Sequence, residues 1–104
     1  MIEEMEIKKI WEQEELTVMV EGRLNTATAP QLEEALRDSM AGVNSLILDF
    51  GGLEYISSAG LRVLLWAHKT MLQQKGSMVV RGANEEVREV FAITGFAEIL
   101  TVED

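Results

Sequence analysis

The chain of 104 residues contains no cysteine, one proline and one histidine. Without cysteine it has no disulfide, no thiolate nucleophile and no cysteine-based metal site. It also lacks a run of 18 apolar residues, and its first residues are acidic where a secretory signal would be basic and then apolar. We therefore expect a cytoplasmic protein that does not insert into a membrane.

Positive charge is scarce as well. Nine lysines and arginines stand against eighteen aspartates and glutamates, which gives a formal net charge of −9. The cations are scattered along the chain, so phosphate backbones should repel it, and we expect no nucleic-acid partner. The acidity either serves solubility or steers the protein toward a basic partner. Composition alone leaves both interpretations open.

Hydrophobic residues make up 47% of the chain, enough for one domain over residues 1–104 with a buried core. Apolar side chains alternate in two stretches near the amino terminus and run almost continuously in two later ones. Gly22 is predicted to end the second strand, and Gly51-Gly52 to form a turn after the third. The predicted strands lie at 5–11, 16–21, 46–50 and 78–80.

Helices are predicted from capping residues and apolar stripes. Thr28 as cap, a proline in the first turn and Gln31 in a capping-box position begin a first helix, which Gly42 ends. Asn84 caps a third helix, which ends at Gly95. The second helix, over 61–72, is predicted to face the core with Leu61, Leu64, Leu65, His68 and Leu72.

Strands that alternate with helices define an α/β fold. The first two strands are close enough to form a hairpin, so we expect a mixed sheet, and residues 96–100 predict a short closing element. Function in such sheets lies beyond the carboxyl end of a central strand. Ser57 and Ser58 occupy that place, between the strand at 46–50 and the helix at 61–72.

The two serines are either helix caps or targets of modification. Catalysis by Ser58 would need a base within hydrogen-bonding reach. The single histidine, His68, lies ten residues further along the same predicted helix, roughly 15 Å away. The sequence also lacks metal-ligand spacing and a P-loop motif. We therefore predict a protein that is not an enzyme and that holds no metal or cofactor.

Trp66 is a candidate contact residue on the second predicted helix. At 100° per residue it shares a face with Arg62, Lys69 and Gln73, away from most of the leucines. An exposed tryptophan beside a cation is typical of a protein interface. The alternative is burial against another element of the domain, such as the amino-terminal strand.

Several segments together resemble the STAS domain, and more narrowly the bacterial anti-sigma-factor antagonists. They are Val20 to Pro30, Leu46 to Phe50, Tyr55 to Leu64 and Gly76 to Val80. The resemblance covers essentially the whole chain, and its strand, serine-rich turn and Gly-Leu helix start are specific. It implies a STAS-like single domain, with a mixed β-sheet of four to five strands packed with three to four α-helices.

The resemblance also implies a partner switch. In this family an unphosphorylated antagonist binds an anti-sigma factor with serine kinase activity, phosphorylation of the turn serine separates the two, and a serine phosphatase restores binding. The acceptor position falls on Ser58, with Ser57 as the alternative acceptor and the likelier structural cap. With Trp66 included from its position on the second helix, the predicted partner-binding residues are Asn25, Thr26, Ser57, Ser58, Ala59, Gly60, Arg62 and Trp66.

Two positions depart from the family pattern, because Ser57 and Asn25 stand where the family often has aspartate. This departure motivates a second hypothesis, a stand-alone STAS docking subunit that regulates a transporter or a sensory complex without phosphorylation. A third hypothesis places a nucleotide at the same turn. It is weaker, because no cluster of cations accompanies Arg62 there.

Overall fold

The structure of the protein is a computed structural model, and it describes residues 4–104. Strands and helices alternate after an initial hairpin. The elements in chain order are β1 (Met5–Glu12), β2 (Glu15–Leu24), α1 (Ala29–Arg37), β3 (Ser45–Ile56), α2 (Ser58–Gln73), β4 (Ser77–Arg81), α3 (Glu85–Thr94), α4 (Phe96–Ile99) and β5 (Thr101–Glu103).

The strands form one sheet in the order β1-β2-β3-β4-β5. β1 and β2 are an antiparallel hairpin, and each later neighbour pairs in parallel. The predicted α/β fold with a mixed sheet is therefore confirmed, with five strands and four helices among the described residues. The predicted closing element at 96–100 is the short helix α4, followed by β5.

Alternate residues of the central strands build the hydrophobic core. Leu16, Val18 and Val20 of β2 are fully buried, and so are the alternate residues of β3 from Leu46 to Phe50. The buried residues of α1, α2 and α3 belong to the same cluster, so these helices cover one face of the sheet. Within the described residues, no helix is long and apolar enough to cross a membrane.

All four predicted strands are longer in the structure, and two of them extend by several residues. β2 continues through Gly22 to Leu24, and β3 continues through Gly51 and Gly52, where a turn was expected. The pairing of β2 with β3 shifts register twice in this stretch. Gly22 has φ +101°, and a Cβ on Gly52 would lie 2.7 Å from the Cγ of Glu21. The glycines therefore mark strand irregularities and close backbone approach, not strand ends.

The helix predictions need three corrections. α1 ends at Arg37, five residues before Gly42, and α2 begins at Ser58, three residues before the predicted start. Leu72 was expected on the inner face but is 59% exposed, because the buried stripe of α2 continues through Ala67 to Met71. The cap of α3 is confirmed, since Asn84 Oδ1 accepts a hydrogen bond of 2.8 Å from Val87 N.

Candidate functional site

The candidate site lies where β2 and β3 end side by side. Leu24 and Ile56, the last residues of the two strands, are paired neighbours. The backbone N–H of Ser57 donates to the carbonyl of Leu24 at 2.9 Å, which joins the two chain exits. We call residues 25–28 the first loop and residues 57–58 the serine turn. Both lie at the carboxyl end of a central strand, the edge that the sequence predicted.

The two serines of the serine turn have different environments. Ser57 is the N-cap of α2, with φ −102° and ψ 175°, and its Oγ accepts a hydrogen bond of 3.3 Å from Gly60 N. This confirms the expectation that Ser57 caps the helix. Ser58 is the first residue of α2, and its side chain is exposed. Ser58 therefore presents its hydroxyl to the surroundings, beside the positive end of the helix dipole.

Gly60 holds α2 close to the strand ends. It is buried, and a Cβ built on it would lie 2.7 Å from Leu24 Cγ and 2.9 Å from Ile56 Cγ1. Both distances are too short for real carbon atoms, so a side chain here would push the helix away from the sheet. The absence of a side chain at Gly60 therefore allows α2 and the serine turn to pack closely against the ends of β2 and β3. Gly60 also has no side chain that could contact a partner.

The first loop is closed by its own side chains. Asn25 Oδ1 accepts hydrogen bonds of 3.0 Å from the backbone N–H groups of both Ala27 and Thr28. The Thr28 hydroxyl donates to the carbonyl of Arg23 at 2.7 Å and accepts from Asn25 N at 2.8 Å. Thr28 occupies the N-cap position of α1 without capping it, so the predicted capping box is wrong. Its hydroxyl is engaged in the loop instead.

An open groove of about 500 Å³ runs between α1 and α2 beside the serine turn. Thr26 lies at the end of the groove, Glu33 and Arg37 line its α1 side, and Ala59 and Arg62 line its α2 side. Glu33 and Arg37 form an exposed ion pair of 2.5 Å. Three of the predicted partner-binding residues therefore lie together at this surface, namely Thr26, Ala59 and Arg62. Ser58 directly precedes Ala59 at the start of α2.

Trp66 differs from the expectation of an exposed side chain among solvated groups. It is half-buried and packs against the core. The guanidinium of Arg37 lies over its ring, 5.2 Å from the centroid. Burial against another element was the alternative, and the element is α1, not the amino-terminal strand. The sequence does not show how α1 packs against α2, so it gave no reason to expect Arg37 over the ring of Trp66.

Sequence reasoning missed one pair of side chains at this edge. Arg23 on β2 and Tyr55 on β3 are paired neighbours, and the Arg23 guanidinium lies over the Tyr55 ring at 4.5 Å from the centroid. Tyr55 is 40% exposed. The pairing depends on the register shift between Gly22 and Arg23. The sequence carries no signal for that shift beyond the glycine itself.

His68 lies toward the opposite end of α2 from the serine turn. It lines a separate cavity of about 300 Å³ with Met71, Leu72 and Gly76. Ten residues of helix separate it from Ser58, roughly 15 Å along the axis. Among residues 4–104, no three His, Asp or Glu side chains are grouped as a metal site.

The fold and the serine turn are those of a known class of regulatory domain. The chain belongs to the STAS domain family, which it matches over residues 5–104. Among its relatives, it is 43% identical over 88 residues to BtrV of Bordetella bronchiseptica, which is named as a candidate anti-sigma factor antagonist. That alignment covers 84% of this chain and 76% of BtrV.

Solved structures share the fold at lower sequence identity. A crystal structure of a candidate anti-sigma factor antagonist from Thermotoga maritima superposes with a TM-score of 0.88 at 22% identity, covering 94% of this chain and 86% of that one. The anti-sigma factor antagonist SpoIIAA in its unphosphorylated form gives 0.76 at 17% identity, covering 95% and 88%. Its phosphorylated form, described as a Bacillus cell fate determinant, gives 0.74 at 16%, covering 93% and 90%. These likenesses establish the fold.

Proposed function

We propose that this protein is an anti-sigma factor antagonist that binds an anti-sigma factor with serine kinase activity and is released when Ser58 is phosphorylated. A serine phosphatase would restore binding. The protein then acts in the cytoplasm as a regulator of transcription and not as an enzyme. The observation that carries the proposal is the difference between the two serines: Ser57 caps α2, and Ser58 is exposed.

A phosphate on Ser58 would affect the partner more than the fold. It adds a charge of about −1.5 to −2. Ser58 is the first residue of a helix, where the dipole and the free N–H groups favour negative charge. The domain therefore tolerates the modification. A partner surface packed against Ser58 would meet two new charges and be repelled if it is acidic or apolar there.

The residues around Ser58 support a contact surface. Thr26, Ala59 and Arg62 line the groove, and Asn25 is half-buried in the first loop. Trp66 is half-buried beneath Arg37, which lines the same groove. We propose that they contact the partner directly, while Ser57 and Gly60 shape the surface from within. In this proposal Ser58 is the acceptor and Ser57, the alternative acceptor, is protected by its hydrogen bond to Gly60.

The relatives support the same function. BtrV, a relative with 43% identity, is named as a candidate anti-sigma factor antagonist. SpoIIAA is described both without and with a phosphate, and this chain superposes on the two forms almost equally well. A domain of this shape therefore accommodates a phosphorylated state, as the proposal requires.

The test is phosphorylation by the cognate anti-sigma kinase with ATP, followed by mass spectrometry. We expect one phosphate on Ser58, none in Ser58→Ala, and normal modification of Ser58 in Ser57→Ala. Ser58→Asp should weaken binding to the kinase on the order of a hundredfold, while Ser58→Ala should bind like the wild type. Absence of phosphate from both serines would refute the switch. Phosphate on Ser57 alone would identify Ser57, and not Ser58, as the phosphorylation site.

The docking subunit remains the alternative outcome of the same experiment. If the chain binds no anti-sigma kinase but is recovered with transporter or sensory proteins, the serine turn has only a capping role. Ser57 caps α2 and Asn25 closes the first loop under either function, because their oxygens accept backbone N–H groups. The exposed Ser58 is what favours the switch.

A further inference from the structure

We infer that the stacked pair of Arg23 and Tyr55 is a preformed anchor that binds the anti-sigma partner. In this inference the pair supplies affinity, and Ser58 supplies the switch. It rests on the proposed function and extends it to two residues that lie outside the predicted site.

The anchor lies at the same edge of the sheet as Ser58. Tyr55 precedes Ser58 by three residues on β3, and Arg23 precedes the first loop on β2. The two residues are paired across the strands, one position before the joined ends at Leu24 and Ile56. Leu24 and Ile56 pack against α2 at Gly60, so the alternation of strand side chains directs Arg23 and Tyr55 away from α2. A partner must therefore extend from Ser58 across the strand ends to contact the anchor.

The backbone of Arg23 is fixed, and its side chain is stacked, before any partner arrives. The backbone N–H of Arg23 donates to the carbonyl of Glu4 at 2.8 Å, and its carbonyl accepts from the Thr28 hydroxyl at 2.7 Å. The guanidinium stacks on the Tyr55 ring at 4.5 Å. Side chains fixed in this way lose little conformational entropy on binding. Tyrosine and arginine are also the residues enriched at the energetic centres of interfaces.

The pair is not explained by the stability of the fold. Tyr55 is 40% exposed and lies outside the hydrophobic core cluster, while its neighbours in the sequence of β3, Leu53 and Ile56, belong to it. An exposed cation–π pair contributes about 0.5–1 kcal/mol. A large aromatic ring left outside the core beside the candidate acceptor serine is better explained by recognition.

The free charge of Arg23 defines the chemistry of the partner. Within residues 4–104 its guanidinium takes part in none of the ion pairs, which belong to other arginines. A guanidinium stacked by one face on a ring keeps its N–H edge available, and that edge fits a carboxylate in bidentate geometry. The partner surface should therefore place a carboxylate against Arg23 and an apolar side chain against Tyr55. The arginines already paired are Arg37, Arg81 and Arg88.

The experiment measures the affinity of the full chain for its cognate anti-sigma kinase by titration calorimetry. Tyr55→Ala and Arg23→Ala should each weaken binding about tenfold or more, and Tyr55→Phe should bind close to wild type. Arg23→Ala should also reduce the salt dependence of binding, because it removes a charge pair. The matched control is Ile93→Ala on α3, since Ile93 is 77% exposed and lies outside this edge.

Two further readouts separate the anchor from the switch and from folding. At saturating kinase concentration, Tyr55→Ala should be phosphorylated at the wild-type rate, so the change lies in affinity. Arg23→Gln, which keeps the stem of the side chain, should reproduce the loss if Arg23→Ala lowers the melting temperature. If Ser58→Asp weakens binding to the kinase but all anchor variants bind with wild-type affinity, the proposed anchor is refuted and the proposed switch is retained. If Ser58→Asp binds like the wild type, the proposed switch itself fails.

Discussion

The first loop and the serine turn leave the same edge of the sheet with similar polar sequences, but they use their side chains differently. In the first loop, Asn25 and Thr28 form hydrogen bonds within the loop, and Thr28 is only 7% exposed. In the serine turn, Ser57 makes the one cap and Ser58 is left exposed. The comparison shows that polar composition alone does not tell whether the side chains of a turn are engaged in hydrogen bonds or exposed. The distinction lies in which groups remain unengaged.

The comparison also explains the departures from the family pattern. Asn25 and Ser57 stand where the resemblance places aspartates, and each accepts backbone N–H groups through a side-chain oxygen. A carboxylate would accept the same bonds. The two turns therefore keep their geometry without the acidic groups, and the local charge around Ser58 is less negative. A kinase that reads this turn should depend less on complementary positive charge.

The largest effect on stability is expected at Gly60, the contact between the serine turn and the end of β2. Gly60→Ala should lower the free energy of unfolding by about 1–3 kcal/mol, because the added Cβ overlaps Leu24 and Ile56. Chemical denaturation measures this change. Ser58→Ala, two residues earlier in the same helix, is the control and should unfold like the wild type. An unchanged midpoint in Gly60→Ala would mean that α2 is not held tightly against the strands.

The second effect concerns the first loop. Asn25→Ala should cost about 1–2 kcal/mol, since the N–H groups of Ala27 and Thr28 both lose their acceptor. Asn25→Asp keeps an acceptor oxygen and should remain closer to the wild type. Thermal unfolding of the two variants under the same conditions measures the difference in their stability. An equal loss in both would show that the amide nitrogen, and not the oxygen, holds the loop.

The sequence predicted the architecture well because that depends on patterns along the chain. Alternating apolar residues and capping residues identified the strands and the cap of α3, and the strand–serine–helix order placed Ser57 and Ser58. What it missed depends on contacts between distant segments. The extension of β3 past Gly51 and the stacking of Arg23 on Tyr55 both follow from the register between β2 and β3. A glycine in a strand signals an irregularity but not its direction.

The smallest effect separates the two serines from each other. Ser57→Ala removes the cap of α2 and should cost about 0.5–1 kcal/mol, toward the lower end of cap losses because the hydrogen bond to Gly60 is long, at 3.3 Å. Ser58→Ala should stay within about 0.5 kcal/mol of the wild type, as expected for an exposed residue. Chemical denaturation of the two variants in parallel measures the difference. Equal losses would show that the turn shares its capping between both hydroxyls, and phosphorylation of Ser58 would then disturb the helix as well as the partner.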